Sequence, residues 1–460
     1  MMTKTKQFRL FDAVLAAVCV VLVVESAAPA AAIGNSQFFW WALLLVGFFL
    51  PYGLISAELG TTYEDEGGIY DWVKRAYGKK WGSRVAWYYY INFPLWMGSL
   101  AVLFTDILIQ ITGWEIPTIW LLVIQLAYIW LVVGVSFFRV SDSKWILNIA
   151  AFFKAFLMLV LGGLGIYVAL TRGVANEFTV SSLFPSFDVS SLSFIAVILF
   201  NFMGFEVVTT FASEMKNPGR EIPKAIIIGG ILIAAFYLLA AFGISVAVPV
   251  EELSTSDGLI ESFGLLIGTT TGPLILLFGL MFLYTIVANP ISWSLGVNYV
   301  AQYAAKEGSL PKVFRRERKD NQMPLGANIM NGVIASAMVV AAPLIPSEDL
   351  FWSFFSLNMI TLLLSYVLMF PAFLKLRRID GDIERPFQIN VNGFWLKMMV
   401  WVPLILLVVS LIFSAVPLNT TAEELNFKLP ILIGTIVAVI IGEIIAAWAV
   451  RNDKHERSSE

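Results

Sequence analysis

Long apolar segments alternate with short polar ones along the whole chain. Most of these segments approach or exceed the roughly 20 residues that a helix needs to cross a hydrocarbon core of about 30 Å. In lipid, backbone groups must bond within their own segment, so the segments are predicted to be helices and not strands. The pattern predicts twelve spans, at about 10–34, 37–59, 84–111, 115–136, 144–170, 190–212, 224–248, 270–303, 326–345, 349–374, 394–416 and 429–450.

The composition supports this pattern. Of the 460 residues, 58% are hydrophobic and only 14% are charged, and the mean hydropathy is +0.80. A soluble domain carries about 25% charged residues, so most of the outer surface is expected to face lipid. The fold class predicted is an all-α polytopic protein of the cell membrane, with no second soluble domain.

The positions of the basic residues predict the orientation. If the N-terminus is cytoplasmic, the inner connections are 60–83, 137–143, 213–223, 304–325 and 375–393. Of the 30 Lys and Arg, all but Arg172, Lys428 and the in-span Lys154 lie at the termini or in or beside these connections. Positive charge collects on the cytoplasmic side of membrane proteins, so both termini are predicted to be cytoplasmic, with a tail at 451–460. Acidic residues, Glu251 and Glu252 among them, collect outside.

Several classes of protein fit poorly. Cys19 and His455 are the only residues of their types, which excludes an intrachain disulfide and a Cys or His metal set. No Gly-rich phosphate loop and no catalytic constellation occur in the spans, so neither enzyme activity, a cofactor nor a nucleic-acid partner is expected. Ion channels usually show pore loops or rings of charge. A carrier for a small molecule fits best, with a channel as the weaker alternative.

Two predicted spans contain charge and helix-breaking residues. The first reads VCVVLVVESAAPAAAIG, with Glu25 near its middle and Pro29 four residues later. One interpretation is a proline kink with Glu25 paired to a neighbouring helix; the other is a discontinuous helix that opens onto a substrate cavity. The sixth span carries Gly204, Phe205 and Glu206 near its middle. Interrupted spans at corresponding positions of two halves indicate an inverted-repeat transporter, with its site at the membrane midplane.

Sequence motifs at these places resemble a known family. The motifs are FMGFE (202–206), EMKNPGREIPKA (214–225), AELG (57–60) and GGIY (67–70). They resemble the amino acid–polyamine–organocation (APC) superfamily, and most closely its glutamate/GABA-antiporter-like and polyamine exchanger branches. The resemblance implies a LeuT-like core of five-plus-five inverted repeats over 1–376, with repeats at about 10–170 and 190–376. It also implies two extra helices over 377–450 and alternating access around the broken helices one and six.

The substrate is left open between two classes. The family usually has a Gly-Ser-Gly-like run in the first break, whose backbone N–H groups bind a carboxylate, but this chain has Glu25, Ser26 and Ala27 there. Glu25 would repel a carboxylate and attract an amine, and together with Glu206 it could hold a substrate with two cationic ends, such as a diamine or agmatine. Alternatively, Glu25 is protonated or turned away and a zwitterionic amino acid binds to backbone groups.

Lys154 lies in the middle of the fifth span. One interpretation is a structural tie between that helix and the first break. By resemblance, a lysine at this place occupies the position of a sodium ion in sodium-independent members, which argues for exchange or proton coupling. The candidate substrate-binding residues are Glu25, Ser26, Ala27, Asn201, Gly204, Phe205, Glu206, Trp293 and Asn358, with Lys154 as the coupling residue. For Asn201, Asn289 and Asn358, bonds between helices are the default interpretation.

The predicted function is secondary active transport of amino acids or small cationic amines, as a sodium-independent permease or antiporter. The alternative is proton-coupled symport of a zwitterionic amino acid. The expected partners are the small-molecule substrate and the lipid bilayer, and the protein is expected to be a monomer or homodimer. Glu58 and Glu214, near inner helix ends beside basic loops, are candidates for inner-gate salt bridges.

Overall fold

The computed structural model describes residues 10–63, 67–138, 140–185, 187, 192–206, 215, 217–344, 349–418 and 421–459. Within these ranges the protein is mainly helical, and an isolated β-bridge joins Glu317 and Pro324. The main helices are α1 (Leu10–Val21), α2 (Ala27–Ala31), α3 (Gly34–Thr62), α4 (Ile69–Tyr77), α5 (Lys79–Thr112), α6 (Thr118–Val135), α7 (Val140–Thr171), α8 (Ile195–Asn201), α9 (Pro218–Ala247), α10 (Gly258–Ile267), α11 (Pro273–Lys306), α12 (Leu325–Ala341), α13 (Leu350–Tyr366), α14 (Met369–Ile379), α15 (Gly393–Ala415) and α16 (Ala422–Ser459).

Among the described residues, ten helical stretches are long and apolar enough to cross a membrane. They coincide with ten of the twelve predicted spans, α13 and α14 together forming one of them. The two predicted spans that are missing from this set, 10–34 and 190–212, are those with the predicted breaks. In their place lie the short helices α1, α2 and α8. The protein is therefore a polytopic α-helical membrane protein.

The first interruption lies earlier than the proline suggests. Helix α1 ends at Val21, and Val23 is extended, with φ −108° and ψ 95°. A 3-10 turn over Val24–Ser26 then leads into α2. Pro29 lies in the first turn of α2, where a helix needs no N–H from it. The break therefore arises at residues 22–23, and Pro29 restarts the helix.

The second interruption depends on a glycine. Helix α8 ends at Asn201, and Gly204 follows with φ +94°. A Cβ atom at Gly204 would lie 2.8 Å from Cζ2 of Trp293, too close for any real side chain. Both the positive φ and the ring of Trp293 therefore require glycine. Of the segment that follows, residues 207–214 lie outside the described residues, Glu214 among them.

Helix α5 lies at the centre of the bundle. It packs against α4, α11, α12, α13 and α16, and most of its middle is buried. Around it, α11 carries an internal proline, Pro290, which cannot donate to the carbonyl of Ile286 one turn earlier. The Tyr128 hydroxyl on α6 donates to that carbonyl at 2.5 Å. The carbonyl that the kink in α11 leaves free is thus satisfied by a neighbouring helix. This contact fixes the direction of Asn289 and Trp293.

Helices α7 and α9 meet through glycines. A Cβ atom at Gly243 would lie 2.5 Å from the backbone O of Leu161, and one at Gly165 would lie 2.7 Å from Cα of Gly243. Small residues of this kind let two membrane helices approach until their backbones touch. This contact holds the helix that carries Lys154 against the helix that carries Tyr237.

We predict that Gly243→Ala lowers the thermal unfolding midpoint of the purified protein. The added methyl group meets a backbone carbonyl, which can move only if the two helices separate, and overpacking of this kind costs about 1–3 kcal/mol. Gly163→Ala is the control, because Gly163 lies on α7 with no atom within 4 Å of its Cβ position. Equal midpoints for the two variants would contradict the close packing.

Candidate functional site

The unwound residue Val23 is held by a tyrosine from α9. The Val23 N–H donates to the Tyr237 hydroxyl at 2.8 Å, and that hydroxyl donates back to the Val23 carbonyl at 2.9 Å. Ser26 Oγ also lies 2.6 Å from this carbonyl. An unpaired backbone group in an apolar environment is expensive. Tyr237 therefore replaces the helical hydrogen bonds that the break removes.

Ser26 and Asn201 connect the two interruptions. Ser26 Oγ lies 2.7 Å from Asn201 Oδ1, and both residues are fully buried. The Nδ2 atom of Asn201 has no hydrogen-bond partner among the described residues. The end of α8 is thus tied to the start of α2, and one amide donor of Asn201 is left for another group. Ala27, the next residue of the first break, is buried in the core.

Trp293 fills the space between the breaks. Its Nε1 donates to the carbonyl of Val20 at 2.9 Å, a group that α1 leaves unpaired because the helix ends one residue later. Its ring packs edge-on against Trp96, with centroids 6.0 Å apart, and against the backbone of Gly204. The aromatic surface of Trp293 therefore borders both interrupted segments.

Glu25 lies in the 3-10 turn of the first break and is 2% exposed. Its Oε1 accepts from Nδ2 of Asn289 at 3.2 Å, and Asn289 Oδ1 accepts from Nζ of Lys154 at 2.8 Å. Asn289 and Lys154 are each 1% exposed. Within the described ranges, Glu25 Oε2 is buried and has no hydrogen-bond partner. The break therefore presents a carboxylate oxygen that no neighbouring side chain satisfies.

Glu206 has a different environment. The Glu206 cluster consists of Glu206 and three tyrosines from three helices, Tyr52 on α3, Tyr89 on α5 and Tyr366 on α13. The hydroxyls of Tyr366 and Tyr89 donate to Oε1 at 2.5 and 3.0 Å, and that of Tyr52 donates to Oε2. Tyr52 also accepts from the N–H of Gly204 at 3.1 Å. Both oxygens of this carboxylate are therefore satisfied by neutral donors.

The remaining predicted site residues divide into two kinds. Asn358 on α13 is fully buried, and neither atom of its side-chain amide has a hydrogen-bond partner in the described part of the chain. Phe205 packs against Phe49, with ring centroids 4.9 Å apart. Asn358 thus offers a free donor and a free acceptor, whereas Phe205 contributes to packing.

On the predicted cytoplasmic side, Glu58 at the end of α3 forms a buried ion-pair network. Arg377 binds it through two hydrogen bonds, of 2.8 and 2.5 Å, and Arg385 through one of 3.2 Å. The Ile389 N–H donates to the same carboxylate at 2.8 Å. Burial and the hydrogen bond to Asp380 raise the pKa of nearby Tyr63 to about 12, so its phenol remains a donor at neutral pH. Glu214, the other predicted gate residue, lies outside the described residues.

Sequence reasoning missed several residues that the structure places at the breaks. Tyr237, Tyr52, Tyr366 and Tyr128 each lie in an otherwise apolar helix, where a tyrosine has no local sequence signature. Asn289 was given the default role of a bond between helices, but its amide lies between two charged side chains. The available signal was only that a buried charge, Lys154 or Glu25, needs a polar partner on some other helix.

The helical bundle with interrupted, polar segments at its centre is typical of membrane carriers. The Amino acid permease family model matches residues 8–441, and the chain belongs to that family. It is therefore a multi-pass membrane transporter for a small molecule.

The chain is also similar to named transporters of bacteria and plants. The chain is 54% identical to the probable agmatine/putrescine antiporter AguD of Lactococcus lactis, over 96% of this chain and 94% of that protein. It is 23% identical to a glutamate/gamma-aminobutyrate antiporter of the same species, over 88% and 83% of the two chains. A polyamine transporter of Oryza sativa is also 23% identical, over 81% and 68%. These matches agree with the resemblance expected from the motifs.

We predict that Tyr237→Phe destabilises the protein and slows transport. Without the hydroxyl, the N–H of Val23 is buried and unsatisfied, at a penalty of about 1–3 kcal/mol. Tyr90→Phe is the matched control, since Tyr90 is also fully buried and donates at 3.2 Å to Ala327, a carbonyl within the regular helix α12. Thermal unfolding and substrate uptake measure both effects. A loss no larger than that of Tyr90→Phe would show that the break does not depend on this hydroxyl.

Proposed function

We propose that this protein exchanges small dicationic amines, of the agmatine and putrescine class, across the cell membrane by alternating access. The core would be the five-plus-five inverted repeat within twelve spans, with both termini cytoplasmic. The observation that carries the proposal is Glu25, a buried carboxylate at a helix break with one unpartnered oxygen. The 54% identity to a probable agmatine/putrescine antiporter supports the same substrate class.

Electrostatics favours a cation beside Glu25. Removing a carboxylate from water costs several kcal/mol, and a direct charged partner offsets that loss best. Lys154 is not such a partner, because Asn289 lies between them. Helix α1 also ends at Val21, four residues before Glu25, and a helix C-terminus carries partial negative charge. The charge of Glu25 and the partial negative charge at the end of α1 both repel a carboxylate and attract an ammonium or guanidinium group.

The second cationic end of the substrate needs acceptors other than Glu206. Three tyrosines already satisfy both oxygens of that carboxylate, so it gains less from a cation than Glu25 does. Asn358 has a free amide oxygen, and the rings of Trp293 and Trp96 offer cation–π contacts. We assign Glu25, Ser26, Ala27, Asn201, Trp293 and Asn358 to substrate binding. Gly204, Phe205 and Glu206 would close the cavity on its cytoplasmic side.

The buried charge of Glu25 also favours exchange over transport in one direction. Without substrate, Glu25 Oε2 is buried and has no hydrogen-bond partner among the described residues, so the empty carrier should reorient slowly and the loaded one faster. Lys154 places an ammonium group among α1, α7 and α11, which supports sodium-independent transport. Acidic residues on the predicted outer side, such as Glu251 and Glu252, would attract a dication from the medium.

We predict that Glu25→Gln weakens binding of putrescine and agmatine by roughly 10- to 100-fold. A hydrogen bond to a charged group contributes about 1.5–3 kcal/mol, and each 1.4 kcal/mol is a factor of ten in affinity. The measurement is a thermal-shift titration of purified protein with diamines, agmatine and the twenty amino acids, followed by counterflow in proteoliposomes. Glu115→Gln is the control, because Glu115 is exposed in the connection between α5 and α6.

Each outcome of this experiment is informative. Diamine affinity that is unchanged in Glu25→Gln would exclude Glu25 as the cation-binding group. If only zwitterionic amino acids stabilise the wild type, the proposed dicationic substrate is wrong and Glu25 is a structural or proton-carrying group.

A further inference from the structure

Lys154 and Glu25 are opposite charges buried in the same region, yet they form no direct ion pair. Both belong to the described residues, and the ion pairs found among these residues do not include one between Glu25 and Lys154. Instead, the amide of Asn289 lies between them, 2.8 Å from the ammonium and 3.2 Å from the carboxylate. Buried charges of opposite sign attract each other strongly, so a direct contact is expected unless another group lies between them.

The amide of Asn289 matches both neighbours. An ammonium group only donates hydrogen bonds and an ionised carboxylate only accepts them. The Asn289 oxygen faces Lys154 and its nitrogen faces Glu25, which satisfies one group at each end. A side-chain amide offers an acceptor and a donor on the two arms of one rigid plane.

The backbone around Asn289 is also fixed. Pro290 follows directly, and the Tyr128 hydroxyl donates to the carbonyl of Ile286 that this proline leaves free. Trp293, one turn further along α11, is bound to the carbonyl of Val20. The amide is therefore held at a defined height between α7 and the first break.

We propose that Asn289 is a positioning residue that separates Lys154 from Glu25 and so leaves one oxygen of Glu25 available to a cationic substrate. In this arrangement the ammonium group of Lys154 offsets the negative charge of Glu25 across the Asn289 amide. It does not occupy the oxygen that the substrate needs. Without the amide, Lys154 would pair with Glu25 directly and compete with the substrate. The role of the free oxygen rests on the proposed function, but the separation of the two charges does not.

The separation is tested first, by a measurement that needs no substrate. The thermal unfolding midpoint is measured for Glu25→Gln, Lys154→Met and the double variant, in the wild-type background and again with Asn289→Ala. We expect the coupling between Glu25 and Lys154 to be small in the wild type and several-fold larger with Asn289→Ala, because the two charges then meet. The same coupling in both backgrounds would overturn the proposal. Asn289→Ser, which is too short to reach both groups, replaces Asn289→Ala if that variant does not fold.

The effect on substrate is tested second, with putrescine and agmatine as probes. We expect Asn289→Ala to weaken their binding roughly 10-fold or more, and Lys154→Gln added to Asn289→Ala to restore most of the affinity, since no cation then competes. A loss that the second substitution does not restore would assign Asn289 a merely structural role. Asn331→Ala is the matched control, because Asn331 is a fully buried amide that bonds to Asn298 at 2.7 Å, away from these charges.

The two tests separate the two proposals. If the wild type binds no diamine, the proposed substrate is wrong, but the coupling measured without substrate still decides whether Asn289 keeps the charges apart.

Discussion

The interior of this protein depends on how unpaired backbone groups are satisfied where its helices break. In a membrane bundle no water is available along most of the chain, so every N–H and C=O released by a break needs a new partner. Here the partners are side chains of other helices: Tyr237 binds both groups of Val23, and Trp293 binds the carbonyl of Val20. The breaks can therefore exist only because α9 and α11 lie beside them.

The same requirement links the backbone to the chemistry of the site. Tyr237 and Trp293 fix the break, and the fixed break places Glu25 against Asn289. Several buried polar atoms have no partner among the described residues, and those on Glu25, Asn201 and Asn358 come from three separate elements around the breaks. A buried polar atom without a partner is destabilising in the empty protein. A cationic ligand would satisfy the two acceptors among these atoms, Glu25 Oε2 and Asn358 Oδ1, and so recover that energy, whereas the amide donors of Asn201 and Asn358 need an acceptor from another group.

The sequence predicted the features that depend on local composition. The spans follow from the length of apolar runs, and ten of the twelve coincide with long helices of the structure. The interruptions were expected near Glu25 and Gly204, and both are present. Their detail was not predictable, because Val23 unwinds by bonding to Tyr237, which is 214 residues away in the sequence. The role of the tyrosines around Glu206 was not predictable for the same reason. Each is an ordinary residue of its own helix and contacts Glu206 only because the helices pack together.

Two sets of polar contacts, the Glu58 ion pairs and the Glu206 cluster, differ in charge. This difference affects which elements can move apart. Glu58 links α3 to Arg377 of α14 and to Arg385 in the following loop, by charged hydrogen bonds in a nearly dry environment. Breaking such a pair leaves uncompensated buried charges, so these elements should stay together. The ties of the Glu206 cluster run from an interrupted segment to neutral phenols on α3, α5 and α13. Phenols that lose the carboxylate carry no charge and can bond to water that enters with opening. If the protein works by the proposed alternating access, the segment around Gly204–Glu206 would therefore be the part that separates from the rest.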